Sequence, residues 1–384
     1  MAITNGRDRS TRQICVAQVI GTFQVAGGGG GAQRLAYNLA IGLAQQEVRS
    51  MAIALRANGN YNNTAGLDIR LIAFGADARK PLSIVRAFFG LRSFIRRERI
   101  DLLHIHGAPS LPFVVLATRL LRGQPKLVFT WQDSGSVLED IGWWKKLMVW
   151  AVRRCDAVSG SSRVVAQKLG NRADLDQVGV FHGGVPMSPE PEFASTASPL
   201  IIWVGRIVPP KDPQILIRAA ARLRAEGFQF SVCIIGEPHP GTVWYMDETL
   251  ALIEKLGLGD VVSAPGFVPD DELRNIMARA EISVQTSHTE GMSIALMEHM
   301  MSGLAIVATD VGDTAIAVED GVSGIIISSK DEQGLTDALR RLLTYPHLRK
   351  QFGVAARNRA VDQFSIRAMA RRAAEQYSAL VNRR

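Results

Sequence analysis

Two segments of this chain gather the residue types that handle a charged, hydroxyl-rich ligand. The first is Trp203-Val-Gly205-Arg206-Ile-Val-Pro-Pro-Lys211-Asp-Pro213, which sets two cations in one turn after an apolar run. Asp212 before Pro213 has the form of a helix start, with Asp as the cap and Pro in the first turn. Lys211 then stands beside the positive end of a helix dipole, where a cation is unfavourable until an anion joins it. Arg206 brings a planar fork and Lys211 a point charge, a pair suited to a diphosphate. On residue types alone, a solvated pair stays open as the plainer alternative.

The second segment is Ser287-His-Thr-Glu290-Gly291-Met292-Ser293-Ile-Ala-Leu-Met-Glu298, continuing to Gly303. It follows an apolar strand pattern and opens a helical one. Unpaired N–H groups and the dipole at a helix start favour an anion, and Gly291 lets a ligand approach the backbone closely. Glu290 at the mouth and Glu298, read as about two turns into the helix, cannot attract phosphate. As acceptor-only groups they suit sugar hydroxyls. Taken singly, each reads as readily as a dipole-complementing or solvated helix carboxylate.

Two weaker signals lie in the first half. Glycines 27–31, ending in Gly30 and Gly31, join a strand pattern to a helical one. A dinucleotide fingerprint needs an acid about 20 residues on, at the end of the next strand. Here that strand ends in Arg56, so NAD is not expected. In Asp101-Leu-Leu-His104-Ile-His106, strand alternation puts both histidines on one side, with His106 at the carboxyl end. A lone His there is more often structural than catalytic.

The elements that must position these residues alternate strand and helix. Strand patterns at 14–20, 51–55, 69–74, 101–106, 126–131 and 157–160 are interleaved with helical ones at 32–46, 82–97, 110–121 and 143–154. A second series of strand patterns runs through 200–204, 230–235, 260–263, 282–285, 304–308 and 323–327. Repeated βα units predict α/β architecture with parallel sheets covered on both faces. Pro186, Pro189, Pro191 and Pro199, with Ser, Thr and Ala between, read as a linker. The expected organisation is a loose tail over 1–13, a Rossmann-like domain over 14–186 and a linker over 187–199. A second Rossmann-like domain follows over 200–364. A helix over 365–384, capped by Ser365, packs back toward the first domain. The two domains face a cleft, and ligands sit beyond the strands' carboxyl ends.

Composition narrows the class. Hydrophobic residues make up 47% and charged residues 21%, as in folded globular chains. The formal net charge of +8 favours anionic partners. It is the sole ground for nucleic acid, which is not expected. Cys15, Cys155 and Cys233 are scattered, without metal or disulfide spacing, which suits a reducing, cytoplasmic setting. No apolar run reaches the ~20 residues of a bilayer span. Arg7, Arg9 and Arg12 before an apolar stretch mimic a signal peptide, but Gln18, Thr22 and Gln24 interrupt it. Residues 80–99 combine Arg86, Arg92, Arg96, Arg97 and Arg99 with Phe88, Phe89 and Phe94. Residues 143–154 combine Trp143, Trp144 and Trp150 with Lys145, Lys146, Arg153 and Arg154. Either stretch suits peripheral contact with an anionic membrane face, or ordinary packing with solvated outer charges.

Taken together these positions resemble the family-4 retaining glycosyltransferases of the GT-B fold, from about Ile14 to Tyr377. The matched hallmarks are Gly30-Gly31, His106, Gly205-Arg206 with Lys211, and Gly236-Glu237-Pro238. Gly266-Phe267-Val268 and the Glu-x7-Glu of Glu290 and Glu298 complete them. The resemblance implies transfer of a sugar from a nucleotide-sugar donor to a glycan or lipid-linked acceptor. It implies no metal and no cofactor beyond that donor. Arg206 and Lys211 would hold the diphosphate, Glu290 the donor sugar and Glu298 the ribose. Backbone at Gly291, Met292 and Ser293 would meet sugar and phosphate. Backbone near Phe267 and Val268 would meet the base, and His106 the donor sugar from the facing domain.

The chain also departs from the family pattern. It has Gln132-Asp133 where a His often stands, His299 for a small residue, Asp313 for a second Gly, Ala305 for Pro and Ile366 for Trp. A non-catalytic nucleotide-sugar-binding subunit would need a damaged donor site, and a sugar-nucleotide epimerase lacks the Gly-Arg…Lys spacing. Both remain as the competing readings.

Overall fold

The computed structural model describes residues 13–24, 31–46, 48–58, 71–76, 80–119, 121, 123–132, 142–189 and 198–382. The first series of units comprises β1 (Cys15–Gln24), α1 (Gly31–Ala44), β2 (Arg49–Asn58), β3 (Leu71–Ala73), α2 (Pro81–Glu98) and β4 (Leu102–His106). It continues with α3 (Leu111–Arg119), β5 (Lys126–Trp131), α4 (Gly142–Val152), β6 (Ala157–Gly160), α5 (Arg163–Ala173) and β7 (Gly179–Val180). The strands form a seven-stranded sheet in the order β3-β2-β1-β4-β5-β6-β7. All its pairings are parallel. Helices cover both faces, so the central strands are largely apolar and buried along their length; every residue of β4 is buried, its two histidines included.

The second series begins with β8 (Leu200–Val204), α6 (Gln214–Ala225), β9 (Ser231–Ile235), α7 (Val243–Lys255), β10 (Val262–Gly266), α8 (Asp270–Arg279) and β11 (Ala280–Gln285). Then come α9 (Ile294–Met301), β12 (Ala305–Thr309), α10 (Thr314–Ala317), β13 (Gly324–Ile327), α11 (Glu332–Thr344) and α12 (Pro346–Phe364). The sheet order is β10-β9-β8-β11-β12-β13, again parallel. Both sheets reverse their winding once, between β1 and β4 and between β8 and β11. A crevice opens at such a reversal beyond the strand ends. The candidate residues fall there: His106 ends β4, Gly205-Arg206 follow β8, and Glu290 follows β11.

The last helix, α13 (Ile366–Asn382), leaves the second unit. Ser365 Oγ accepts from the Ala368 amide at 3.1 Å, the expected cap. Met369, Ala370, Ala373 and Tyr377 then join Val16, Leu39 and Leu102 in one buried cluster of the first unit. The two chain crossings meet where Val185 N donates to Phe364 O at 2.8 Å and Ile366 N donates to Val185 O at 3.0 Å. In the first unit one helix and one strand escape the sequence pattern, α5 and β7, and in the second α11 and α12 do. In α5 the buried residues are Val165, Ala166, Leu169 and Ala173, two of them alanines, and Lys168, Gly170 and Arg172 surround them, so the apolar signal is weak.

Candidate functional site

The turn after β8 is held from beneath by β11. Thr286, buried, accepts from Trp203 Nε1 at 2.9 Å, and its hydroxyl lies 2.8 and 2.7 Å from the carbonyls of Lys211 and Asp212. His288 N donates to Pro210 O at 2.7 Å. Gly236 has φ +143, and a Cβ on it would lie 1.8 Å from Gly205 O. Only glycine lets the turn after β9 lie against the Gly205 turn.

Asp212 is not the helix cap that the Asp-Pro pair predicts. The cap position of α6 falls on Pro213, with no side-chain hydrogen bond. Asp212 has φ +41, a left-handed conformation that turns its carboxylate away from the helix start. It accepts instead from Tyr245 OH at 3.1 Å and His288 Nε2 at 3.0 Å. The result still serves the site. Asp212 ties the Lys211 turn to α7 and to the loop after β11.

Lys211 Nζ contacts the Glu290 carboxylate directly, and Ser287 Oγ donates to Glu290 Oε1 at 3.2 Å. Burial, helped by the nearby Arg206 charge, lowers the Lys211 ammonium to about 8. Arg206 itself is exposed. Gly291 is buried against the N-terminal unit; a Cβ there would lie 3.3 Å from Ser161 Oγ. Met292 is half-buried against the core of the second unit. Ser293 caps α9, its Oγ accepting from Leu296 N at 3.3 Å. Glu290 therefore stands in the loop ahead of the helix, and Glu298 in its second turn.

Glu298 does not meet Glu290. It pairs across the cleft with Arg34 of α1, and burial raises its carboxyl above the usual range against the pull of Arg34. A cavity of about 870 Å³ opens here, lined by Arg34, Pro186, Ser188, Asp270, Leu273 and Glu298 among others. It reaches neither Lys211 nor Glu290. Phe267 is exposed and Val268 buried on the loop between β10 and α8, and neither lines this cavity. Gly31 opens α1, while Gly30 lies outside the described residues.

His106 is 2% exposed, and burial lowers it to about 3, so it is neutral. Its Nε2 donates to Gln18 Oε1 at 2.8 Å and its Nδ1 accepts from Gln132 Nε2 at 3.2 Å. His104 lies against it, ring centroids 4.0 Å apart. Gln18, in sequence a break in an apolar run, is a partner of the candidate histidine. His299 proves structural: it is buried, neutral, and bonded to Ser283 at 2.6 Å through Nδ1. Asp133 lies outside the described residues. Among the described residues no group of three or more His, Cys, Asp or Glu side chains is arranged to hold a metal ion. No described helix is long and apolar enough to cross a membrane.

Two family models divide the chain between them. "Glycosyltransferase Family 4" matches residues 29–189, and "Glycosyl transferases group 1" matches residues 188–359. The chain belongs to the family-4 glycosyltransferases. A D-inositol 3-phosphate glycosyltransferase of Frankia alni is 31% identical over 227 residues, 53% of this chain and 56% of that one. Its counterpart from Mycolicibacterium smegmatis is 30% identical over 207 residues, 50% and 46% of the two chains. The chain spans about half the length of the curated relatives it matches. Among solved structures, Anabaena Alr3699/HepE in complex with UDP superposes with a TM-score of 0.78 at 19% identity, covering 95% of this chain and 100% of that one. Sucrose-phosphate synthase from Thermosynechococcus elongatus gives 0.75 at 17% identity, covering 96% and 99%. These likenesses show the fold: two doubly wound α/β units, the GT-B arrangement expected from the sequence.

Proposed function

We propose that this family-4 member is a retaining, metal-independent glycosyltransferase that moves a hexose from a nucleoside-diphosphate sugar to a glycan or lipid-linked acceptor, as in polysaccharide, lipopolysaccharide or glycolipid assembly. The observation that carries the proposal is the contact of Lys211 with Glu290 beside Arg206, at the crevice where the second sheet reverses. One carboxylate for hydroxyls and two cations for phosphate then stand side by side. Arg206 and Lys211 stabilise the negative charge that grows on the departing diphosphate, the largest contribution expected in such a transfer. Glu290 holds the donor sugar, Glu298 the ribose, and the Gly291–Ser293 backbone the sugar and phosphate. The loop around Phe267 and Val268 meets the base, Gly30 and Gly31 contribute to nucleotide-sugar binding, and His106 meets the sugar from the facing unit.

Among the described residues His106 is the candidate base that faces the donor side, and Asp133, the other candidate, lies outside them; the state of His106 supports retention. Inversion needs a group that takes the acceptor proton opposite the leaving group, with a pKa near the working pH. His106, lowered to about 3, is a poor proton acceptor. The departing phosphate oxygen takes the acceptor proton instead, on the face from which it leaves. The exposed apolar residues of α2 and α4 favour attachment to an anionic membrane, on its cytoplasmic face if the acceptor is lipid-linked. A panel of UDP-, GDP- and ADP-sugars, assayed with excess chelator and with NMR of the product anomeric proton, tests all of this together. Transfer with retained configuration is expected, and Lys211→Ala should lower it at least a hundredfold, roughly the loss of one charge-stabilising group. Inverted product, full dependence on an added metal or near-parental turnover by Lys211→Ala would each overturn the corresponding part.

A further inference from the structure

We propose that Asp313 is a positioning residue that fastens the Glu290–Ser293 loop to the N-terminal unit, so that docking of the two units and the shape of the donor side of the cleft are one event. The proposal rests on the reading of that loop as the donor loop. Asp313 is 1% exposed and stands between β12 and α10. Its backbone belongs to the donor side: Asp313 N donates to Gly291 O at 2.9 Å. Gly312 before it has φ +59, and a Cβ there would strike the carbonyls of Gly291 and Glu290 at 2.3 and 2.4 Å. The strand end and the loop are thus pressed together, backbone on backbone.

The side chain of Asp313 leaves its own unit. Its two oxygens lie 3.2 and 3.0 Å from the Arg163 amide, the first of α5. Oδ2 also accepts from His182 Nε2 at 2.6 Å, in the segment that crosses between the units. The amino end of α5 adds its dipole to the attraction, and Ser162 already serves another amide there, Val165 N at 3.2 Å. Gly291 lies against Ser161 on the same helix start. One carboxylate therefore joins the start of α5, the crossing segment and, through its own backbone, the loop that carries Glu290.

The energetics make this contact two-state. A buried carboxylate carries a large desolvation cost, offset only while its partners stay in place. With the units apart, Asp313, His182 and the Arg163 amide are hydrated, and nothing intermediate satisfies all three.

The test uses the full chain as Asp313→Ala, Asp313→Asn and His182→Ala, with the Asp313→Ala/His182→Ala pair. Amide hydrogen exchange without any ligand should quicken in both 161–166 and 287–293 for Asp313→Ala. His182→Ala should give a smaller change that the double variant does not add to, since both residues act through one contact. Nucleoside-diphosphate affinity should fall on the order of tenfold, within the range of such couplings. In turnover KM for the donor should rise more than kcat falls. Asp313→Asn keeps an acceptor and should recover part of the affinity. Unchanged exchange in 287–293, or unchanged affinity alongside faster exchange in 161–166, overturns the proposal. Should the parent protein bind no nucleoside diphosphate, the glycosyltransferase reading fails, and the exchange measurement still decides whether Asp313 couples the loop to α5. If Asp313→Ala does not fold, Asp313→Asn and His182→Ala carry the same measurements.

Discussion

At the scale of single residues, charge and burial decide how the site responds to pH. Lys211 is lowered to about 8, first by burial and then by Arg206. Below that value it is an ammonium able to meet a diphosphate; above it the amine is neutral and the attraction is lost. Nucleoside-diphosphate affinity should therefore hold up to about pH 8 and weaken above it, by at most about tenfold per pH unit for one linked proton. Lys211→Arg stays charged through that range, so calorimetric titration should find the slope flattened. An equal slope in the parent and in Lys211→Arg would remove Lys211 as its source. The sequence offered Lys211, Glu290 and His106 as candidates by type and by place in the βα pattern. It did not disclose what Asp212 does. Proline after aspartate signals a cap, but a φ of +41 redirects the carboxylate to Tyr245 and His288, and nothing local in the chain announces that angle. Arg34, His182 and Asp313 stayed hidden for a related reason: their partners lie in the other unit.

At the scale of elements, alternation of apolar and helical patterns sufficed for most strands, because buried parallel strands are apolar along most of their length. Patterns of mixed character were harder to divide between core and surface. In the basic, aromatic stretch 80–99, Phe94 is core and meets Phe74 edge-on at 6.0 Å, and Phe88 is half-buried against Phe113 at 5.9 Å. Leu82, Phe89 and Trp143, by contrast, are 76%, 62% and 73% exposed. Arg119 and Arg154 lie over the Trp150 ring at 5.8 and 4.4 Å, so part of the charge of this layer is spent on its own aromatics. Arg97 likewise lies over Phe94 at 5.5 Å and pairs with Glu98; what remains outward is apolar tips with Arg86 and Arg96 among them, a composition that suits the proposed contact with anionic lipid headgroups. Vesicles rich in phosphatidylglycerol should co-sediment with the chain, less so as salt screens charges beyond about 8 Å. Phe89→Ser with Trp143→Ser should weaken that binding several-fold, while transfer to a water-soluble acceptor stays at the parental level. Equal binding to neutral vesicles would remove the charge argument, and undiminished binding of the double variant would remove the face.

At the scale of the whole molecule, the chain's last helix completes the unit that its first residues begin. Tyr377 of α13 reaches His104 Nδ1 at 2.5 Å, and His104 Nε2 meets Thr130 at 2.7 Å, which in turn meets Ser159 at 2.7 Å. Burial raises the Tyr377 phenol and pulls His104 well below its ordinary range, so both are neutral and the phenol can donate to Nδ1. This line of hydrogen bonds crosses the N-terminal core beside His106, whose ring lies against His104 at an interplanar angle of 38°. Tyr377→Phe removes one hydroxyl and leaves a buried nitrogen unmet, a loss of roughly 1–3 kcal/mol. That loss should fall on the N-terminal unit alone. Truncation after Ser365 is the stronger form of the same test. It uncovers Val16, Leu35, Leu39 and Leu102, which α13 buries, and leaves the helices and sheet of residues 200–364 untouched. Calorimetry of the full chain under Tyr377→Phe should show the N-terminal transition moving down while the other stays. In the truncated chain, hydrogen exchange should be fast across 15–180 and remain slow in the strands of 200–327. The sequence indicated that a terminal helix packs back, and the pairing of its tyrosine with His104 explains why the chain returns to finish the first core. Protection retained across 15–180 after truncation would show that α13 rests on that core without completing it.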